Sequence, residues 1–227
     1  MRIASAYPDP PFEVDREERS GFDADWTRAL CAELGEPWEP VFYEGDNFEG
    51  IFAGLGRDYD CVASGTTVTE HRRSLALFCA PYLRSGQSLV VNVERRPAVR
   101  SVRDLTGLTV GIQRGNTSDL IARTLDLGHI EYYAYRDIPK ALDDLEAGRI
   151  DGVLKLAPVM HAMTRERPAL KVVQEGLSEE LLAVCVALGD EARRQKIDEA
   201  QRALAKRGEL RRLADRWLAD SGVVLTL

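Results

Sequence analysis

Short strand-like runs alternate with helix-patterned runs along almost the whole chain, and this alternation constrains the fold more than any other feature. RIASA is strand-like, and FDADWTRALCAELG is a helix ending at Gly35, a residue suited to a helix C-terminal cap. PVFYE reads as a strand, DNFEGIFAGL as helical with Asp46 or Asn47 as cap, and YDCVAS as a strand. SGTTVTEHRR and LALFCAPYL then lead to the apolar strand SLVVNV. A second set follows: the capped turn SVRDLTGL, then TVGIQ, GNTSDLIARTLDL, IEYYAY, DIPKALDDLEAG, RIDGVLK, APVMHAMTRE and LKVVQE. Pro139 is tolerated in the first turn of its helix. LLAVCVAL, apolar throughout, reads as one strand covered on both faces, and two helices close the chain, the second being ELRRLADRWLAD.

Such alternation predicts an α/β protein with parallel sheets built from βα units. Two sets of units predict two Rossmann-like lobes joined by a two-strand hinge, with the closing helices returning to the first lobe. The expected division is residues 1–88 with 187–227, and residues 89–186.

The chain has 227 residues, enough to bury a core, and a formal charge of −7. That charge, with scattered lysines and arginines, argues against nucleic acid as a partner. The basic run RALAKRGELRR carries apolar residues at helical spacing and reads as a solvated helix face. No apolar run approaches the ~18 residues of a membrane span. The N-terminus shows no signal peptide, so the chain is read either as cytosolic or as lacking a signal already removed. Cys31, Cys61, Cys79 and Cys185 lie far apart without metal-ligand spacing, and the 3 histidines add no cluster. Neither a metal nor a cofactor is expected. Buried free thiols are the favoured reading of the cysteines, and one disulfide remains open.

Ligands of open α/β sheets sit beyond the carboxyl ends of strands. SGTTVTEHRR follows YDCVA there, RGNTS follows TVGIQ, and KLAPV follows IDGVL. The first two offer N–H groups, hydroxyls and arginines suited to an anion. Taken singly, Asn116, Thr117 and Ser118 are ordinary helix caps and Arg72 and Arg73 ordinary solvated arginines. GIQRGNTS lacks the spacing of a phosphate-binding P-loop.

SGTTVTEHRRSLALFCAPY resembles the segment SGMTITPERxxxxxFSxPY of bacterial extracellular solute-binding proteins of family 3, the amino-acid-type binding proteins of ABC importers. PPF at 10–12, GFDADW, TVGIQRGNTS, ALDDLEAGRIDGVL and the closing helices continue the resemblance in order. It implies the type II periplasmic-binding-protein fold, with a ligand cleft between two lobes that close by a hinge motion. It implies that Arg72 grips the ligand's α-carboxylate as a bidentate pair. Ser64, Gly65 and Thr67 match positions that bind the same head group. Thr117, preceded by Asn116, matches a second carboxylate contact, and Phe48 an aromatic lining the side-chain pocket. A monomer located in the periplasm or outside the cell, delivering a small carboxylate-bearing ligand to a permease, is the function implied.

Two departures from the family's pattern bear on the ligand. The family's second-lobe aspartate, which holds the α-ammonium, is replaced by Leu156, and its first-lobe acid by Ala6. Removing one partner of a buried ion pair costs about 3–5 kcal/mol, or two to three orders of magnitude in affinity for an ordinary amino acid. Asp9, which stands where the family has an aromatic residue, is the acid that would compensate. The other reading is an organic-acid ligand. Lys155 and Arg114 would favour extra negative charge on the ligand, or are simply solvent-exposed strand-end residues.

The resemblance extends to cyclohexadienyl (arogenate/prephenate) dehydratases, which share the fold. That chemistry needs a general acid, and Glu179 and Glu180 lie two residues out of register with the dehydratase acid. No other acid presents itself, so no enzymatic activity is expected. A ligand-sensing domain of a receptor is the remaining alternative.

Overall fold

In the computed structural model, which describes residues 1–219 and 221–227, the chain forms two compact units. Unit 1 comprises Met1–Gly45, Glu49–Arg84 and Glu180–Leu227; unit 2 comprises Asp46–Phe48 and Ser85–Glu179. The strands in chain order are β1 (Arg2–Ser5), β2 (Glu39–Phe42), β3 (Cys61–Val62), β4 (Leu77–Phe78), β5 (Leu83–Ser85), β6 (Gln87–Asn92) and β7 (Thr109–Gln113). There follow β8 (His129–Tyr133), β9 (Gly152–Leu156), β10 (Leu170–Gln174), β11 (Glu180–Leu182), β12 (Cys185–Val186) and β13 (Val224–Leu225). The α-helices are α1 (Phe22–Leu34), α2 (Glu70–Arg73), α3 (Thr117–Ala122), α4 (Ile138–Ala147), α5 (Ala157–Thr164), α6 (Glu191–Lys206) and α7 (Glu209–Trp217). Asp220, the last residue of the expected closing helix, lies outside the described residues. Among the described residues no helix is long and apolar enough to cross a membrane.

Unit 1 is built on a sheet of order β2-β1-β3-β12-β4, with a smaller sheet β11-β5-β13. β1 runs parallel to β2 and β3, whereas β12 is antiparallel to β3 and β4. Phe22, Trp26 and Leu30 recur every four residues on the buried face of α1, the spacing that sets side chains above one another on one helix face. α6 packs against that helix, where the Trp26 indole donates to Gln201 at 3.4 Å. Gly35 ends α1 with φ of 67°, a left-handed conformation that glycine adopts without a steric penalty.

Unit 2 carries a sheet of order β10-β6-β9-β7-β8. β7 is parallel to β8 and β9, while β6 is antiparallel to both β9 and β10. Both main sheets are therefore mixed rather than purely parallel, a correction to the expectation from the βα pattern. Leu89, Val91, Leu105, Val110, Ile112 and Leu154 form the core of this unit. Each such side chain contributes about 1.5–3 kcal/mol on burial. α3 stops at Ala122, earlier than expected, and Leu125 and Leu127 beyond it pack against that core. Hydrophobic burial overrides helix continuation here.

LLAVCVAL does not form one strand. β11 and β12 belong to different sheets, and Ala183 and Val184 lie between them. The backbone changes partners along the run: Ala183 N–H donates to Thr66 O at 3.0 Å, and Cys79 N–H to Val184 O at 2.9 Å. Leu182 to Val186 are all buried, because two sheets in succession cover the run. An unbroken apolar stretch thus conceals a change of sheet.

All four cysteines are free and buried. Burial pushes the Cys31 thiol up to about 11, and the other three also rise through burial. A disulfide, left open by the sequence, is absent. In native buffer the four thiols should react with a thiol reagent about 100-fold more slowly than free cysteine, because reaction awaits local opening. All four should react at once in denaturant. Fast labelling of even one thiol in the native protein would contradict its placement.

Candidate functional site

The chain leaves β3 into the segment Ser64–Thr69, and unit 1's polar groups gather around it. Several of its donors and acceptors are already engaged. The Ser64 hydroxyl accepts from Ala6 N–H at 3.0 Å, and Gly65 N–H donates to Asp23 Oδ2 at 2.6 Å. Tyr82 donates to the other Asp23 oxygen at 2.7 Å. Gly65 has φ of 50°, and a Cβ there would lie 2.9 Å from the Phe12 ring, so only glycine fits without displacement. Asp23, at the first turn of α1, is thus the post to which this loop is tied. Its carboxyl is raised to about 6 by burial and by the charge of Asp9, against the lowering effect of the two hydrogen bonds.

Thr69 caps α2, its hydroxyl accepting from Arg72 N–H at 3.1 Å. The Arg72 side chain turns inward, and the residue is only 3% exposed. Its Nη1 donates to Thr67 O at 3.1 Å, and the Phe52 ring lies 5.8 Å from the guanidinium carbon. Burial lowers the guanidinium pKa, while the charges of Glu49 and Glu180 oppose that shift. Thr67 Oγ1 in turn donates to Glu180 Oε2 at 2.6 Å. β11 brings Glu180 there, since Val68 N–H donates to Leu181 O at 2.8 Å and Thr67 pairs with Leu182.

Asp9 lies buried in the same unit, bridged to Glu13 through the backbone. Glu13 is fully buried. Asp9, Glu13, Asp23 and Glu180 are all buried carboxyl groups of unit 1, and of these Glu13 and Asp23 were not singled out from the sequence. Asp23 lies inside GFDADW and Glu13 directly after PPF, but nothing in either string shows that the acid points inward.

In unit 2 the ends of β7 and β9, the start of β6 and the first residues of α3 form one connected polar group. Asn116 caps α3, its Oδ1 accepting from Thr117 N–H at 2.7 Å. Thr117 Oγ1 accepts from Gln87 Nε2 at 3.0 Å. Gln113 Oε1 accepts from both Asn116 Nδ2 and Lys155 Nζ, each at 2.7 Å, and Gln113 Nε2 donates to Tyr135 O. Phe48 lies against Tyr135 with ring centroids 5.8 Å apart.

Of the two cations named from the sequence, Arg114 is exposed and covers the Tyr132 ring at 4.8 Å. Lys155 is only 1% exposed, so the solvent-exposed reading is corrected for it. Leu156, the last residue of β9, is buried beside it and offers no polar atom from its side chain. Of the N–H groups that the two loops offer, those of Gly65 and Thr117 are already taken by Asp23 and Asn116.

The family profile described as "Bacterial extracellular solute-binding proteins, family 3" matches residues 1–220. The ABC transporter arginine-binding protein 1 of Escherichia coli (strain K12) is 26% identical over 95% of this chain and 88% of its own. A solved ancestral arginine-binding protein bound to arginine superposes with a TM-score of 0.84 at 29% identity, covering 96% of this chain and 97% of its own. An ancestral amino acid-binding protein described as a precursor of cyclohexadienyl dehydratase superposes with a TM-score of 0.84 at 26% identity, covering 96% and 94%.

Proposed function

The chain belongs to the bacterial extracellular solute-binding proteins of family 3, and from that premise we propose that it is the ligand-capturing component of an ABC importer. It binds a small carboxylate-bearing ligand of the amino-acid type and delivers it to a membrane permease, as a monomer in the periplasm or outside the cell. It carries out no catalytic step of its own. The observation that carries this reading is the buried Arg72 guanidinium, held by the Thr67 carbonyl within a hydroxyl-rich loop. A planar fork fixed in this way suits bidentate recognition of a carboxylate. Thr117, with Gln87 and Asn116 around it, supplies unit 2's polar contacts, and Phe48 with Tyr135 its aromatic surface. Relatives described as binding arginine, L-cystine and histidine support an amino-acid ligand.

A thermal-shift panel of L-arginine, L-histidine, L-cystine, L-glutamine, succinate and phenylpyruvate tests the reading. At about 100 Kd a bound ligand adds ~2.7 kcal/mol, which for a chain of this size raises Tm by roughly 5–10 °C. At least one amino acid should produce such a shift. A natively folded protein that responds to none of the amino acids would overturn the proposal, as would turnover of prephenate or arogenate.

A further inference from the structure

We propose that Glu180 recognises the ligand's α-ammonium, so that unit 1 alone carries both halves of zwitterion recognition. This rests on the amino-acid reading above and narrows it, making α-amino acids rather than simple organic acids the ligand class. Thr67 links the two charged groups. Its carbonyl accepts from Arg72 Nη1 at 3.1 Å, and its hydroxyl donates to Glu180 Oε2 at 2.6 Å. One residue therefore touches a buried cation on one side and a buried anion on the other. The ammonium and carboxylate of an α-amino acid are separated by a single carbon, so the groups that hold them must stand about a residue's breadth apart. Thr67 sets that spacing.

The placement is enforced by the backbone. Val68 N–H donates to Leu181 O at 2.8 Å, Ala183 N–H to Thr66 O at 3.0 Å, and Thr67 pairs with Leu182. Glu180 is 4% exposed, and a carboxylate so little hydrated interacts strongly with a cation beside it. This role also removes the difficulty posed by Leu156. With Glu180 as the anionic partner, unit 2 has no need of an acid at the end of β9.

The competing role for Glu180 is structural, as a counter-charge that only steadies Arg72. Isothermal titration distinguishes the two. The full chain is titrated with L-arginine, L-histidine and L-glutamine, and with the deaminated counterpart of each, which keeps the carboxylate and side chain. The wild type should prefer the amino acid by about 100-fold or more. Glu180→Gln should compress that preference below about tenfold while changing the affinity for the deaminated acid by less than about threefold. Glu180→Asp, which keeps the charge, should retain most of the preference and covers the case in which the glutamine variant does not fold. In that case Thr67→Val, which removes the hydroxyl that orients the carboxylate, should narrow the preference instead. An equal loss for both ligand types, or a preference unchanged in the variants, would assign Glu180 the structural role and leave the proposed function standing. If the wild type binds none of these amino acids and responds to none in the thermal-shift panel, L-cystine included, the amino-acid reading and this inference fall together.

Discussion

Arg72→Ala should reduce binding of any carboxylate ligand by about 100-fold to 1,000-fold, leaving no measurable heat in a titration that saturates the wild type. The expected size follows from burial. A guanidinium at 3% exposure has given up most of its hydration, and breaking a buried ion pair from one side costs about 3–5 kcal/mol. Arg72→Lys should recover only part of the loss. An ammonium keeps the charge but cannot form two parallel hydrogen bonds to a carboxylate, and it would have to hold the Thr67 carbonyl as well. The unliganded variant's melting temperature is the control, since a protein that has lost its fold also loses binding. A folded Arg72→Ala variant with unchanged affinity would remove Arg72 from the site.

Asp23 should make the protein less stable as the pH rises from about 4 to about 6. Its carboxyl is raised from 3.8 to about 6 by burial and by the Asp9 charge, with Gly65 N–H and the Tyr82 hydroxyl opposing the rise. In that window the native state still holds a proton that the unfolded chain has released, so each step up in pH favours unfolding. The contribution of this group reaches roughly 3 kcal/mol, at about 1.4 kcal/mol for each tenfold change in proton affinity, and stays constant above pH 6. Asp23→Asn removes the titration. Its amide keeps one acceptor but turns a donor towards Gly65 N–H or the Tyr82 hydroxyl, which adds a pH-independent cost. Urea unfolding of both proteins between pH 4 and pH 7 isolates the effect, because groups common to the two cancel in the difference. The variant should gain roughly 2 kcal/mol on the wild type across that range, most of the full contribution. A difference that stays flat with pH would show that the Asp23 carboxyl is not raised.

Much of the architecture was legible from local patterns. TVGIQ is β7 from its first residue to its last. Gly35 and Gly148 end their helices in the left-handed conformation that glycine favours, and Ser101 with Asp104 forms the capping box of the expected turn. These features depend on residues within a few positions of one another. The change of sheet inside LLAVCVAL was not legible, because two sheets that each bury one half of a run leave the same apolar signature as one strand buried on both faces. The end of α3 was hidden for a related reason, since the pull of the core on Leu125 and Leu127 is not a property of the helix itself.

At the candidate site, the sequence by itself determined the residue types: an arginine just after a threonine-rich loop, a capped helix start, and leucine where an acid was expected. The alternation of strands and helices likewise followed from periodicity alone. Only the tertiary structure decided which of those groups are already engaged. It ties Gly65 N–H to Asp23, draws Lys155 inward to Gln113, and sets Glu180 against Thr67, 113 positions earlier in the chain. Periodicity and capping are properties of neighbouring residues, and one sequence carries them in full. The partner of a buried charge is chosen by strands that meet only when the chain has folded, and no spacing along the sequence encodes that meeting.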